Sequence, residues 1–115
     1  MNNIKIKSDK YTKARGSNTK LLTPSCGNCN SDLLFYQKDG AGNLFRIYLD
    51  KILAPTDMVE KMKEVQSKKN LQAFKCPKCN TLLAMPMIYE KENRLALRIV
   101  GPVHKKNNRN GIFSE

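Results

Sequence analysis

Ser25-Cys26-Gly27-Asn28-Cys29-Asn30 and Lys75-Cys76-Pro77-Lys78-Cys79-Asn80 are the two stretches that decide how this chain folds. They hold all four of its cysteines, as two Cys-x-x-Cys pairs with none left over. Two thiols three residues apart on a tight turn can face one ion. A second such turn completes a four-thiolate tetrahedral set, for which zinc is the natural occupant. Each pair is followed by an asparagine, Asn30 and Asn80. A metal-binding turn often needs positive φ at that position; glycine supplies it best, and asparagine is among the few others that tolerate it. The expectation is one structural Zn²⁺ held by Cys26, Cys29, Cys76 and Cys79.

Other uses of the same residues predict different surroundings. A dithiol redox centre uses one pair at the start of a helix, within a strand–helix–strand context. Here both pairs lie between apolar, strand-like runs. Disulfides belong to an oxidising compartment, whereas the chain opens Met1-Asn2-Asn3-Ile4-Lys5-Ile6-Lys7 with no apolar leader. No apolar run reaches the length of a membrane span. The expectation is a cytoplasmic protein with no membrane partner. Iron is compatible with four thiolates and stays open as the occupant.

Charge divides the 115 residues into three parts. Residues 1–20 carry six Lys or Arg against Asp9, and residues 104–115 carry three against Glu115. Both ends are polar and cannot bury enough apolar surface to offset their ordering entropy, so flexible arms are expected there. Residues 21–103 hold twelve basic and eight acidic groups. Most of the net charge of +11 therefore sits on the arms. The remaining domain is small enough for a metal staple to matter to its stability.

Within that domain the pattern predicts a small β-rich α+β fold. Lys20-Leu21-Leu22-Thr23 reads as a strand feeding the first cysteine turn. Residues 33–37 and 44–49 read as a hairpin around Asp39-Gly40-Ala41-Gly42-Asn43, and residues 82–89 and 95–100 as a second around Glu90-Lys91-Glu92-Asn93. Between them, Thr56 or Asp57 is placed to cap a helix whose apolar stripe is Met58, Val59, Met62 and Val65. Pro86 marks an edge or a bulge in its strand. Cys26 and Cys76, Asn30 and Asn80, and Asn43 and Asn93 are each fifty residues apart. This offset predicts two pseudo-equivalent units, each a cysteine turn plus β-hairpin, that share one metal across the connecting helix.

Paired cysteine turns with adjoining hairpins resemble zinc ribbons, which are common in nucleic-acid machinery. The 46 residues between Cys29 and Cys76 are long for a ribbon. That separation is similar to the β-tent family of methionine-R-sulfoxide reductases, Yippee proteins and the cereblon ligand-binding domain. The resemblance implies a fold for residues 21–103 and nothing catalytic. The reductases need a further cysteine and the cereblon pocket needs tryptophan, and this sequence has neither.

No catalytic constellation is visible, and no small-molecule substrate is indicated. The single histidine, His104, opens the basic tail; the cysteines are committed as ligands; Asp32, Asp39, Asp50 and Asp57 fall where turns and helix starts use them. A non-enzymatic binding role is expected. The leading partner is nucleic acid, with charge from Lys5, Lys7, Lys10, Lys13 and Arg15 and sheet contacts from Arg46, Arg94 and Arg98 beside strand aromatics. Phe35 and Phe45 are expected in the core, and Tyr36, Tyr48 and Tyr89 nearer the surface. The alternative is a protein-interaction module or homodimer that docks through an exposed strand edge or the Met58–Val65 stripe.

Overall fold

Among the described residues, two larger antiparallel sheets and a two-stranded one pack together, with one cysteine turn after the two-stranded sheet's first strand and the other inside the largest sheet. The computed structural model describes residues 9–14, 19–40, 42–108, 110 and 113. A short helix α1 (Lys10–Ala14) precedes β1 (Thr19–Leu22), β2 (Ser25–Cys26) and β3 (Phe35–Asp39). Then come β4 (Arg46–Tyr48), a 3₁₀ turn at Leu49–Lys51, β5 (Ile52–Ala54) and helix α2 (Thr56–Lys63). After a second 3₁₀ turn at Lys68–Asn70 follow β6 (Phe74–Lys75), β7 (Leu82–Tyr89), β8 (Arg94–Ile99) and β9 (Val103–His104). One sheet has the order β1-β3-β5, the other β4-β8-β7-β6, and β2 pairs with β9. Leu22, Leu34, Ile47, Ile52, Leu83 and Leu97 are buried between them.

The second hairpin forms as its sequence predicts. β7 and β8 pair through six residues from Ala84↔Ile99 to Tyr89↔Arg94, and Asn93 turns the chain at φ 50°. Pro86 lies where β7 has run past β6, which reaches only Ala84. Its missing N–H therefore costs no ladder bond on the open side.

The first hairpin does not form. β3 pairs with β1 and β5, while β4 crosses to β8 with Ile47 opposite Leu97. The strand at 52–54, absent from the sequence reading, takes the place expected for β4. Two contacts explain the exchange. Pairing Ile47 with Leu97 buries both, and the Tyr48 amide donates to the Tyr36 hydroxyl at 2.8 Å, which ties β4 to β3 without a ladder. The fifty-residue equivalence accordingly holds at the cysteine turns but not across the strands that follow them.

Further positions differ from expectation. Phe45 is 63% exposed, whereas Tyr36 is fully buried and Tyr48 nearly so. Burial raises the Tyr36 pKa far above that of a free phenol, so the hydroxyl stays neutral. Pro55, not Thr56 or Asp57, occupies the cap position of α2; Asp57 sits in its first turn and complements the helix dipole. Met58, Val59, Met62 and Val65 are half-buried against the core, as the stripe requires. The folded part also extends beyond the 21–103 boundary. Asp9 pairs with buried Lys51 at 3.0 Å, and Tyr11 stacks on Arg94. Beyond β9, the Lys106 carbonyl accepts from Thr23 N and Asn108 N donates to Leu21 O, both at 2.8 Å. Among the described residues, no helix is long and apolar enough to cross a membrane.

Candidate metal centre

Each cysteine turn is built by the same short set of hydrogen bonds. Cys26 N donates to Ser31 O at 2.9 Å and Asn30 N to Cys26 O at 2.8 Å. In the second turn Cys76 N donates to Thr81 O and Asn80 N to Cys76 O, both at 2.9 Å. Asn30 and Asn80 both adopt φ 64°, the conformation their position demanded. Bridges close the base of each turn, Ser25↔Asp32 in one and Lys75↔Leu82 in the other. Pro102 buttresses the first turn by accepting from Gly27 N at 2.7 Å. A Cβ on Gly27 would stand 2.8 Å from the Pro102 side chain, so glycine is required for this approach.

The four sulfurs converge on one point, with all four Sγ atoms within 4.8 Å of one another. The short distances cross between turns: Cys26 Sγ to Cys79 Sγ is 3.6 Å and Cys29 Sγ to Cys76 Sγ 3.5 Å. A tetrahedral ion with metal–sulfur bonds of about 2.3 Å has sulfur–sulfur edges of about 3.8 Å, and the two short cross-turn distances lie near that value. All four cysteines are free thiols, and neither a lone dithiol nor a pair of disulfides requires this convergence. The residues can hold a metal ion.

Polar groups around the sulfurs favour their thiolate forms. Thr81 Oγ1 lies 3.0 Å from Cys79 Sγ, and Ser31 Oγ 3.1 Å from Cys29 Sγ. The Thr81 hydroxyl, with its backbone amide, pulls the Cys79 thiol down to about 6. Ser31 likewise holds Cys29 below the ordinary thiol value. Burial pushes Cys26 up, against the opposing amides of Cys29 and Asn28. Asn28 reaches across the centre, with Nδ2 3.7 Å from Cys79 Sγ and 3.0 Å from Thr81 Oγ1. Second-layer donors of this kind orient ligands and tune metal affinity. Sequence reading missed Ser31 and Thr81, although the hydroxyl two residues after each pair obeys the same fifty-residue offset.

No family model matches the chain, and no curated protein or solved structure matches it either. Its assignment to zinc ribbons, the β-tent group or any other family therefore has no support beyond the cysteine pattern.

The other residues singled out from the sequence are scattered. Lys10 and Lys13 are exposed on α1; Lys5, Lys7 and Arg15 lie outside the described residues. Arg46 and Arg98 face each other across β4 and β8. Arg94 is buried, not presented to solvent: its guanidinium lies between the rings of Tyr11 and Tyr48, 3.7 and 3.8 Å from their centroids. Burial opposes its charge, but bonds to Asp50 at 2.6 Å and Glu92 at 2.9 Å outweigh that penalty and raise its pKa. Asp50 and Asp39, read as turn residues, thus serve as counter-ions, Asp39 to Lys51 at 3.0 Å.

Proposed function

We propose that this chain is a zinc-stapled, non-catalytic domain that binds nucleic acid with accessible bases. A centre with four protein thiolates leaves no position for a reacting water, which favours a structural metal over a catalytic one. The observation that carries the binding role is the cross-strand pair Arg46↔Arg98. Like charges directly opposite destabilise a sheet. Neither arginine has a carboxylate within ion-pair distance among the described residues. A phosphate would relieve that repulsion. Phe45 stands next to Arg46 with an open ring face, and its carbonyl accepts from Ile99 N at 3.0 Å, which fixes it beside Arg98. Exposed aromatics flanked by arginines stack bases while the charges hold the backbone. The lysines of the amino-terminal segment would add attraction of no sequence preference.

The test is a salt titration of oligonucleotide binding by the zinc-loaded full chain. Binding that weakens steeply with salt, with the log–log slope reduced by about 1 in Arg98→Gln, supports the reading. Phe45→Ser should weaken single strands more than duplex. Absence of binding at low salt sinks the proposal. A second reading, protein association, is favoured by the open edge of β7 beyond Ala84, where Met85 and Ile88 are exposed. It predicts a dimer or complex that survives high salt.

A further inference from the structure

We propose that the cavity lined by Gly40, Gly42 and Asn43 is a binding site for a phosphorylated nucleoside, either free or as the end of a strand. The inference rests on the preceding reading of Phe45 and Arg46 for the identity of the ring it assigns to the ligand. The cavity measures about 410 Å³, within the ~300–1,000 Å³ range of small-molecule sites. Its walls include Lys38, Asp39, Phe45, Arg46, Lys51 and Arg94.

A small domain rarely buries cations, yet Lys38, Lys51 and Arg94 are all buried here. Two of them are already matched. Lys51 closes on Asp39 and Asp9, and Arg94 on Asp50 and Glu92. These pairs make a rigid polar wall and are not the anion-binding groups. Lys38 Nζ is aimed at the turn, donating to Gly40 O at 2.9 Å.

One cation of the wall has no such match. Arg46 is fixed over the Tyr89 ring, 4.3 Å from its centroid, and its Nε donates to the Tyr48 hydroxyl at 3.1 Å. That arrangement sets the guanidinium plane and leaves its terminal nitrogens without a protein acceptor among the described residues. The terminal nitrogens of Arg46 are the donors that an anionic oxygen in this cavity would engage. The exposed ring of Phe45, which lines the same cavity, then offers a stacking platform beside a charged anchor. A planar base joined through a sugar to a phosphate matches that combination, whereas inorganic phosphate would use only half of it.

The zinc-loaded full chain would be titrated with 5′-AMP and 5′-UMP, with adenosine and inorganic phosphate as comparators, and followed by amide and arginine Nε–H resonances. The proposal requires saturable shifts at Gly40, Gly42, Phe45 and the side chain of Arg46. Nucleotide should bind at least about tenfold more tightly than either fragment. Phe45→Ser, at an exposed position that should not disturb folding, should weaken the nucleotides about fivefold and leave phosphate unchanged. Arg46→Gln should weaken both nucleotide and phosphate about tenfold. Phosphate binding as tightly as AMP, or no shift in the cavity at millimolar nucleotide, overturns the proposal. An oligonucleotide that shifts Arg98 but no cavity residue removes this site and leaves the nucleic-acid face standing. Cavity shifts with AMP but no oligonucleotide binding support the site and remove the face.

Discussion

Asn30 and Asn80 show how far a single position can be read. Each follows the second cysteine of its pair, and both adopt φ 64° because the turn must reverse there. Thr81 shows what such reading leaves out: a hydroxyl 3.0 Å from Cys79 Sγ that holds the thiol near its low value of about 6. A lowered thiol pKa keeps the thiolate, and so the metal ligand, available as pH falls. Removing the hydroxyl in Thr81→Val should raise that pKa and move metal uptake to higher pH. Metal affinity at neutral pH should fall about 10- to 100-fold, measured by competition with a chromophoric chelator. Unchanged affinity and an unchanged pH profile would show that Thr81 only packs against the centre. Arg94 was legible as a basic residue on a strand but not as a buried one. Of the carboxylates that hold it, Glu92 is close by in the preceding turn, but Asp50 comes from the 3₁₀ turn 44 residues earlier, and no local pattern links it to Arg94.

Among the elements, β7 and β8 were legible because both are long, apolar and joined by a four-residue polar turn. β4 and β5 were not. With three residues each, they carry too little pattern to choose between neighbours, and the choice fell to the Ile47–Leu97 contact and the Tyr36 hydroxyl. The carboxyl-terminal segment is a similar case, since its composition is that of a tail. Its backbone nonetheless pairs along β1 through Lys106 O and Asn108 N, and Asn108 Nδ2 donates to Thr23 Oγ1 at 2.7 Å. A chain ended at His104 should lose about 2–3 kcal/mol, from three hydrogen bonds at about 1 kcal/mol each. The half-exposed Lys106–Asp32 pair should add little. Urea denaturation of the metal-loaded protein, compared with a chain ended at Asn110 that keeps these bonds, checks the value. Equal midpoints for the two chains would show that the pairing contributes nothing.

For the whole molecule, the four-cysteine cluster brings together turns that belong to different sheets. Cys26 continues β2, which pairs with β9, and Cys76 follows β6 at the end of the larger sheet. Chelation, or Cys76→Ser, should therefore release both turns together and leave the protein largely unfolded, read as collapse of amide dispersion. A well-dispersed spectrum without metal would show that the two sheets suffice. The sequence by itself determined the four cysteines that can hold a metal ion, the conformation of the residues that follow each pair and the β-rich class. These depend on spacing and on the intrinsic preferences of cysteine, asparagine and β-branched or aromatic residues. Only the tertiary structure decided which strands pair, which cations are buried and where a ligand-sized cavity opens. Those outcomes depend on contacts between residues far apart in the chain, whose energies no local stretch of sequence contains.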